Sequence, residues 1–204
     1  MGGDLTVSQE QRGRPRDEAL HQAILDTALA QVLELGFRAV SVESIAAGLG
    51  IAKTTIYRRW PNKAAVIMDA FTAKVGVGSL FPAQDSALES IRLQIHAMAR
   101  SFRGSDGALV KSLLAEAQFD PELAVAFRER WTLPRRRMAI EVIREAIQEG
   151  DLRSDADPEE VIDLLYAPIY YQLQTGLCLL TEEYVEGIFR RGIEGLGRHE
   201  QSRV

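Results

Sequence analysis

A chain of 204 residues, 46% of them hydrophobic, holds enough apolar material for one domain or for a small domain joined to a larger one. Sixteen glycines, seven prolines and few β-branched runs argue against a sheet and for an all-α fold. The single cysteine, Cys178, excludes an internal disulfide, and the net charge of −5 is unusual for a nucleic-acid binder unless it is unevenly spread.

It is unevenly spread. Residues 12–65 hold eight Lys/Arg against five Asp/Glu, a net +3, so the remainder carries −8. A basic head on an acidic body orients a protein on DNA and keeps the body off the phosphates. The first eleven residues, MGGDLTVSQEQ, are polar and lack the apolar core of a signal peptide. Residues 1–16 read as a flexible basic arm ending in GRPR, with Arg12, Arg14 and Arg16. A first helix is predicted from Asp17 to Leu35, with Leu20, Ile24, Ala28 and Val32 facing inward and Gly36 ending it.

Residues 41–63, SVESIAAGLGIAKTTIYRRWPNK, then read as helix, glycine turn, helix and basic cap. Ser41 is an N-cap candidate. Ile45, Ala46 and Leu49 share one face, and Gly50 sits where the chain reverses and a positive φ suits it. Ile51 and Ile56 point back to the same core. Lys53, Thr54, Thr55, Tyr57, Arg58 and Arg59 are left outside it, a set fit for phosphates and base edges. The next helix starts after Asn62. Lys63, in its first turn, opposes the helix dipole, and a phosphate contact would account for it.

The fourth helix is predicted from Lys63 to about Val75, and GVGS at 76–79 reads as a hinge. Leu88, Ile91, Ile95, Met98 and Phe102 mark an amphipathic helix, broken by RGSDG at 103–107. Residues 108–119 form the next helix. The one after it runs from Asp120-Pro121 toward Gly150, with a kink or break near Trp131 because of Pro134. Two last helices cover about 158–176 and 182–197. The apolar stretch at 164–180 contains two glutamines, a proline and a threonine, so it reads as a buried helix or helix–helix interface rather than a membrane span.

The stretch GFRAVSVESIAAGLGIAKTTIYRRWPNKAAVI resembles the DNA-binding domain of the TetR family of bacterial transcriptional regulators, over about Leu20 to Met68. Ala52 departs from the family pattern, which often has a capping serine there. The body also resembles the C-terminal domain of one TetR subgroup, from LLAEAQFDPELAVAFRERWTLPRRR through GDLRSDADPEEVIDLLYAPIYYQLQTG. The resemblance implies an N-terminal three-helix helix-turn-helix domain at 17–62 and a helical regulatory and dimerisation domain at 63–204. It also implies a homodimer made by the last two helices, an operator in double-stranded DNA and a ligand cavity in the body.

The residues agree on the dimer: Tyr184, Val185, Ile188, Phe189, Gly192, Ile193 and Leu196 form a stripe wider than one partner helix needs. DNA contacts are expected from Arg14, Arg16, Ser41, Lys53, Thr54, Thr55, Tyr57, Arg58 and Lys63. Of these, Lys53, Thr55 and Arg58 are placed nearest base edges, and Thr54, Tyr57 and Lys63 on phosphates. A small apolar or aromatic effector is expected among Met98, Phe102, Phe119, Trp131, Tyr166 and Tyr170, with Gln172 and Gln174 as polar contacts. The run Arg135-Arg136-Arg137 reads as a solvated face, with recognition of an anionic ligand as the alternative. No GxSxG, Walker or GxGxxG motif occurs, and His21, His96 and His199 fall in no ligand pattern. The reading is a cytoplasmic, cofactor-free regulator and not an enzyme: a repressor released by a small molecule. Its alternatives are a constitutive or activating regulator of the same fold, and a helical enzyme or carrier.

Overall fold

The computed structural model describes residues 10–76 and 81–196, and side chains within 17–76 and 81–195. Among the described residues there are ten α-helices, one π-helical turn and no strand. Two compact units result: one holds residues up to Gly76 together with 116–126, the other residues 81–115 and 127–196.

In the first unit α1 (Glu10–Leu35) packs on α2 (Val42–Leu49) and on α4 (Lys63–Val75), with the short α3 (Lys53–Tyr57) against α2. Helix α1 begins at Glu10, seven residues before the expected start; the helix-forming Glu10, Gln11 and Arg12 carry it past Gly13 and Pro15. Of the flexible arm expected at residues 1–16, residues 10–16 are thus helical, and residues 1–9 lie outside the described residues. The stripe of α1 is buried as its period requires, with Ile24 and Ala28 fully enclosed. Ile45, Ile56, Val66, Met68 and Phe71 complete a core without solvent contact. Helix α4 belongs here by packing, although the boundary at 62/63 assigns it to the second domain. Its buried face (Ala64, Ala65, Ile67, Met68) is apolar, and the helix packs on α1.

In the second unit α5 (Ala87–Phe102) packs on α8 (Leu133–Glu149), α9 (Pro158–Thr175) and α10 (Glu182–Leu196), and α9 lies against α8 and α10. Ile91, Ile95, Val110, Leu113, Ile143, Leu165, Ile169 and Val185 form its core. Helix α6 (Ser105–Ala117) starts three residues earlier than predicted, so the break after α5 shrinks to Arg103-Gly104. Gly107 makes this possible, since a Cβ there would collide with the Phe102 carbonyl. The kink expected near Trp131 takes the form of a π-helical turn, Arg128–Thr132, between α7 (Pro121–Phe127) and α8. Pro134 then sits at the second position of α8, where a missing N–H costs least. The hinge expected at 76–79 falls, beyond Gly76, outside the described residues.

Candidate functional site

The first candidate surface is built by α2, its turn and α3. Ser41 caps α2: its Oγ accepts from the Ser44 amide at 3.0 Å, and the Ser44 Oγ accepts from the Ser41 amide at 3.0 Å. Gln31 of α1 takes the Ser44 hydroxyl at 2.7 Å and donates to the Ser44 carbonyl, which fixes α2 on α1. Gly50 closes α2 in the left-handed region at φ 63°, and its amide reaches back to the last α2 carbonyls. The turn therefore has one conformation that a side chain would strain.

Helix α3 is only five residues long and is anchored by Ile56, which is fully buried. Around that anchor Lys53, Thr54, Tyr57 and Arg58 are exposed and Thr55 is half-buried. Lys53 makes a 3.4 Å pair with Glu43, with both side chains more than half exposed. Such a pair is weakly held and yields readily to a phosphate or a base edge. Ala52 gives α3 no side-chain cap.

Two cations differ from expectation. Arg59 is not on the open face: it donates to the Thr55 carbonyl at 3.1 Å and pairs with Asp17, tying the end of α3 to α1. Lys63 donates to the carbonyls of Phe37 and Val40 at 3.0 Å each, with Arg38 at 3.5 Å, and lies 4.4 Å from the Phe37 ring centroid. Its three protons are directed at the α1–α2 connection, which explains a cation in a first turn without a phosphate. The side chains of Arg14 and Arg16 lie outside the described residues.

The second candidate site is a cavity of about 310 Å³ within the second unit. Met98, Trp131, Tyr166 and Tyr170 line it, together with Phe81, Gln94, Ala139, Ile162 and the guanidiniums of Arg135 and Arg136. Its walls are polarised in a fixed way. The Trp131 Nε1 donates to the Tyr170 hydroxyl at 3.2 Å, and the Tyr166 hydroxyl donates to Gln94 Oε1 at 2.5 Å. Burial pushes both phenols above their ordinary range, so both remain neutral donors.

The remaining expectations divide. Phe102 packs edge-on against Tyr170, 5.4 Å between centroids, as a wall behind the lining rather than part of it. Phe119 does not belong to this site. It lies in the first unit, 78% exposed, with the Arg38 guanidinium 5.9 Å from its ring centroid. The helix end at Ala117 leaves it on the turn rather than on an inward face. Gln172 is occupied elsewhere, donating to the Tyr184 hydroxyl and accepting from the Cys178 amide. The arginine run is not one solvated face either. Arg137 is exposed, Arg136 pairs with Asp163 at 2.5 Å and with Glu159, and Arg135 holds its guanidinium carbon 3.2 Å over the Trp131 ring.

Gln94, Ala139 and Ile162 are among the lining groups that the sequence reading missed. Gln94 sits beside Ile91 and Ile95 on α5, and a polar residue inside an apolar stripe is the signal that marks it. Apart from the cavity, α9 leaves Leu164 and Tyr171 exposed along one edge, and Ile188 and Ile193 of α10 are half-exposed. Among the described residues no helix is long and apolar enough to cross a membrane.

A capped helix, a left-handed glycine turn and a short second helix presenting cations and hydroxyls define a helix-turn-helix protein. Residues 24–69 match the family model of bacterial regulatory proteins of the tetR family, and residues 81–191 match the tetracyclin repressor-like C-terminal domain. The HTH-type transcriptional regulator YdeS of Bacillus subtilis (strain 168) is 38% identical over 188 residues, 92% of this chain and 95% of that protein. The crystal structure of the TetR family transcription regulator SCO0332 superposes with a TM-score of 0.72 at 26% identity, covering 86% of this chain and 97% of that one. FadR of Bacillus subtilis, solved in complex with stearoyl-CoA, shares the fold at TM-score 0.66 and 19% identity, covering 86% and 99%. The chain belongs to the TetR family and is a DNA-binding transcriptional regulator.

Proposed function

We propose that this regulator acts in the cytoplasm as a homodimeric repressor, released from its operator by a small, mainly apolar molecule held in the second unit. The cavity of about 310 Å³ beside Trp131 carries the release half of this reading. A space of that size with aromatic walls and a few oriented polar groups has the make-up of a small-molecule site. FadR, which shares the fold, is solved with a ligand of its own.

In the DNA-binding half, Lys53, Thr55 and Arg58 meet base edges, while Thr54 and Tyr57 hold phosphates and the Ser41 end of α2 approaches the backbone. Arg14 and Arg16 follow the groove or the backbone. Lys63 holds the α1–α2 connection in shape rather than touching DNA. Two subunits joined through the exposed edge of α9 and the half-exposed side of α10 read half-sites about one helical turn apart.

Genomic DNA fragments retained at low salt and sequenced give the operator. A titration on that operator, with Trp131 emission and DNA release followed together, then tests the effector. Compounds that perturb Trp131 are expected to lower DNA affinity. If they never do, the protein acts constitutively or as an activator.

A further inference from the structure

The charged groups in and beside the cavity cancel: Arg135 and Arg136 stand against Asp163 and Glu159, and Arg136 pairs with both acids. A further charge brought into this space finds no counterpart, and its loss of water is uncompensated. The hydrogen-bonding groups do not cancel. Gln94, only 8% exposed on α5, receives the Tyr166 hydroxyl on Oε1 at 2.5 Å. That distance suits O–H···O and lies below the N–H···O range, so the amide nitrogen is the end turned away from Tyr166. Its two protons meet no acceptor among the described residues. The nitrogen is also not sealed off, so it opens to the cavity that Gln94 lines.

Tyr170 adds a further donor. Its oxygen accepts from Trp131 Nε1 at 3.2 Å, while its own proton reaches no acceptor among the described residues. Burial keeps this phenol protonated. Tyr166 and Tyr170 stand one turn apart on α9, so Gln94 and both phenols share one side of the cavity. That side has donors in excess. A buried donor without an acceptor is costly, so a ligand oxygen that reaches it is selected over a group that cannot accept.

Resting on the cavity reading above, we propose that the effector of this protein is an uncharged carbonyl compound: an apolar or aromatic body with one acceptor oxygen set against the Gln94 amide and the Tyr170 hydroxyl. The body lies among Met98, Trp131, Ala139 and Ile162.

Three naphthalenes of one skeleton test this on the full-length protein: 2-acetylnaphthalene, 2-ethylnaphthalene and 2-naphthoate. Each is titrated against bound N-phenyl-1-naphthylamine, a neutral dye located in the cavity by energy transfer that Trp131→Phe abolishes. The readout is the ratio of their Kd values. In the wild type the ketone is expected to bind about tenfold tighter than the ethyl compound, and the carboxylate more weakly than the ketone. Gln94→Leu is expected to bring the ketone and the ethyl compound close to equal affinity, by weakening the ketone alone. Tyr170→Phe is expected to move the ratio the same way, and it keeps the test open if Gln94→Leu does not fold. A wild type without preference for the ketone, an unchanged ratio in a folded variant, or equal weakening of both compounds overturns the carbonyl while leaving the cavity in place. Tighter binding of the naphthoate than of the ketone overturns the uncharged ligand. If the dye takes no energy from Trp131, the cavity reading itself fails, and the carbonyl compound with it.

Discussion

The two units of this chain bury apolar surface to opposite ends. Around α1, α2 and α4 the interior is filled: Ile24, Ile45, Ile56, Val66 and Phe71 have no solvent contact, and the side chains of Ser41 and Asn62 cap α2 and α4. In the second unit the same kind of helices leave a space of about 310 Å³ between α5, α8 and α9. A helix-turn-helix must hold its recognition residues in one geometry, so looseness is a fault there. On the proposed reading the second unit keeps an interior that the effector completes, and packing it solid would remove that input.

Truncation and filling should separate the units most sharply. Ile24→Ala in α1 is expected to cost about 2–5 kcal/mol of stability, since a full core cannot collapse onto the gap. Met98→Ala, at a half-exposed position already facing open space, should cost clearly less in the same thermal melt. The reverse substitutions sharpen the contrast. Ala64→Leu in the packed α1–α4 contact should destabilise by about 1–3 kcal/mol. Ala139→Leu, on the cavity wall, is expected to leave the melting temperature unchanged or higher.

Lys63→Ala is expected to cost about 1–3 kcal/mol, because buried carbonyls of the α1–α2 connection lose their donor. Were Lys63 a phosphate ligand alone, the melt would not move and only DNA affinity would fall. On the recognition helix the pattern should invert. Arg58→Ala should leave the melt unchanged and reduce discrimination at one base pair by about 1–3 kcal/mol, read by binding to singly substituted operators. Tyr57→Phe should weaken all sequences alike and lower the salt dependence.

The smallest effect expected is on pH. In the second unit His96 bridges α5 to α10, with Nδ1 and Nε2 each 2.7 Å from a carboxylate, Glu182 and Glu186. These contacts, chiefly that of His96 and then those of Arg103 and Arg92, hold both carboxyls below their usual range. A depressed carboxyl contributes stability above its unfolded value near 4.5 and loses it as pH falls through the folded value. The melting temperature of the wild type should therefore fall more steeply below about pH 4.5 than that of Glu182→Gln with Glu186→Gln. Parallel slopes by calorimetry would show that the cluster has no such linkage.

Much of the architecture was legible because helix ends carry local chemical marks. Ser41 and Gly50 bound α2, Asn62 starts α4, and Asp157-Pro158 starts α9, each where the sequence places it. What escaped depends on partners distant in the chain. Lys63 meets carbonyls 23 to 26 residues earlier, and no local rule joins them. The three arginines at 135–137 look alike as a string, yet successive helix positions turn by about 100°, so Arg135 and Arg136 line the cavity and Arg137 is left to solvent. Phe119 resembles a lining aromatic by composition alone, and only the end of α6 decides that it sits outside.

The π-helical turn at Arg128–Thr132 gives the cavity a genetic signature. Such a turn holds one residue more than an α-helical turn, and it sets the phase in which Trp131, Arg135 and Ala139 follow Phe127. Losing a single codon within RERWT would leave an ordinary α-helical turn with the downstream face in its present phase, whereas losing one just after it, at Leu133 or Pro134, would swing that face by about 100° and carry the guanidinium of Arg135 off the wall. Loss of the guanidinium from the cavity wall is thus within reach of one in-frame deletion in α8, with no change to any residue of α2 or α3.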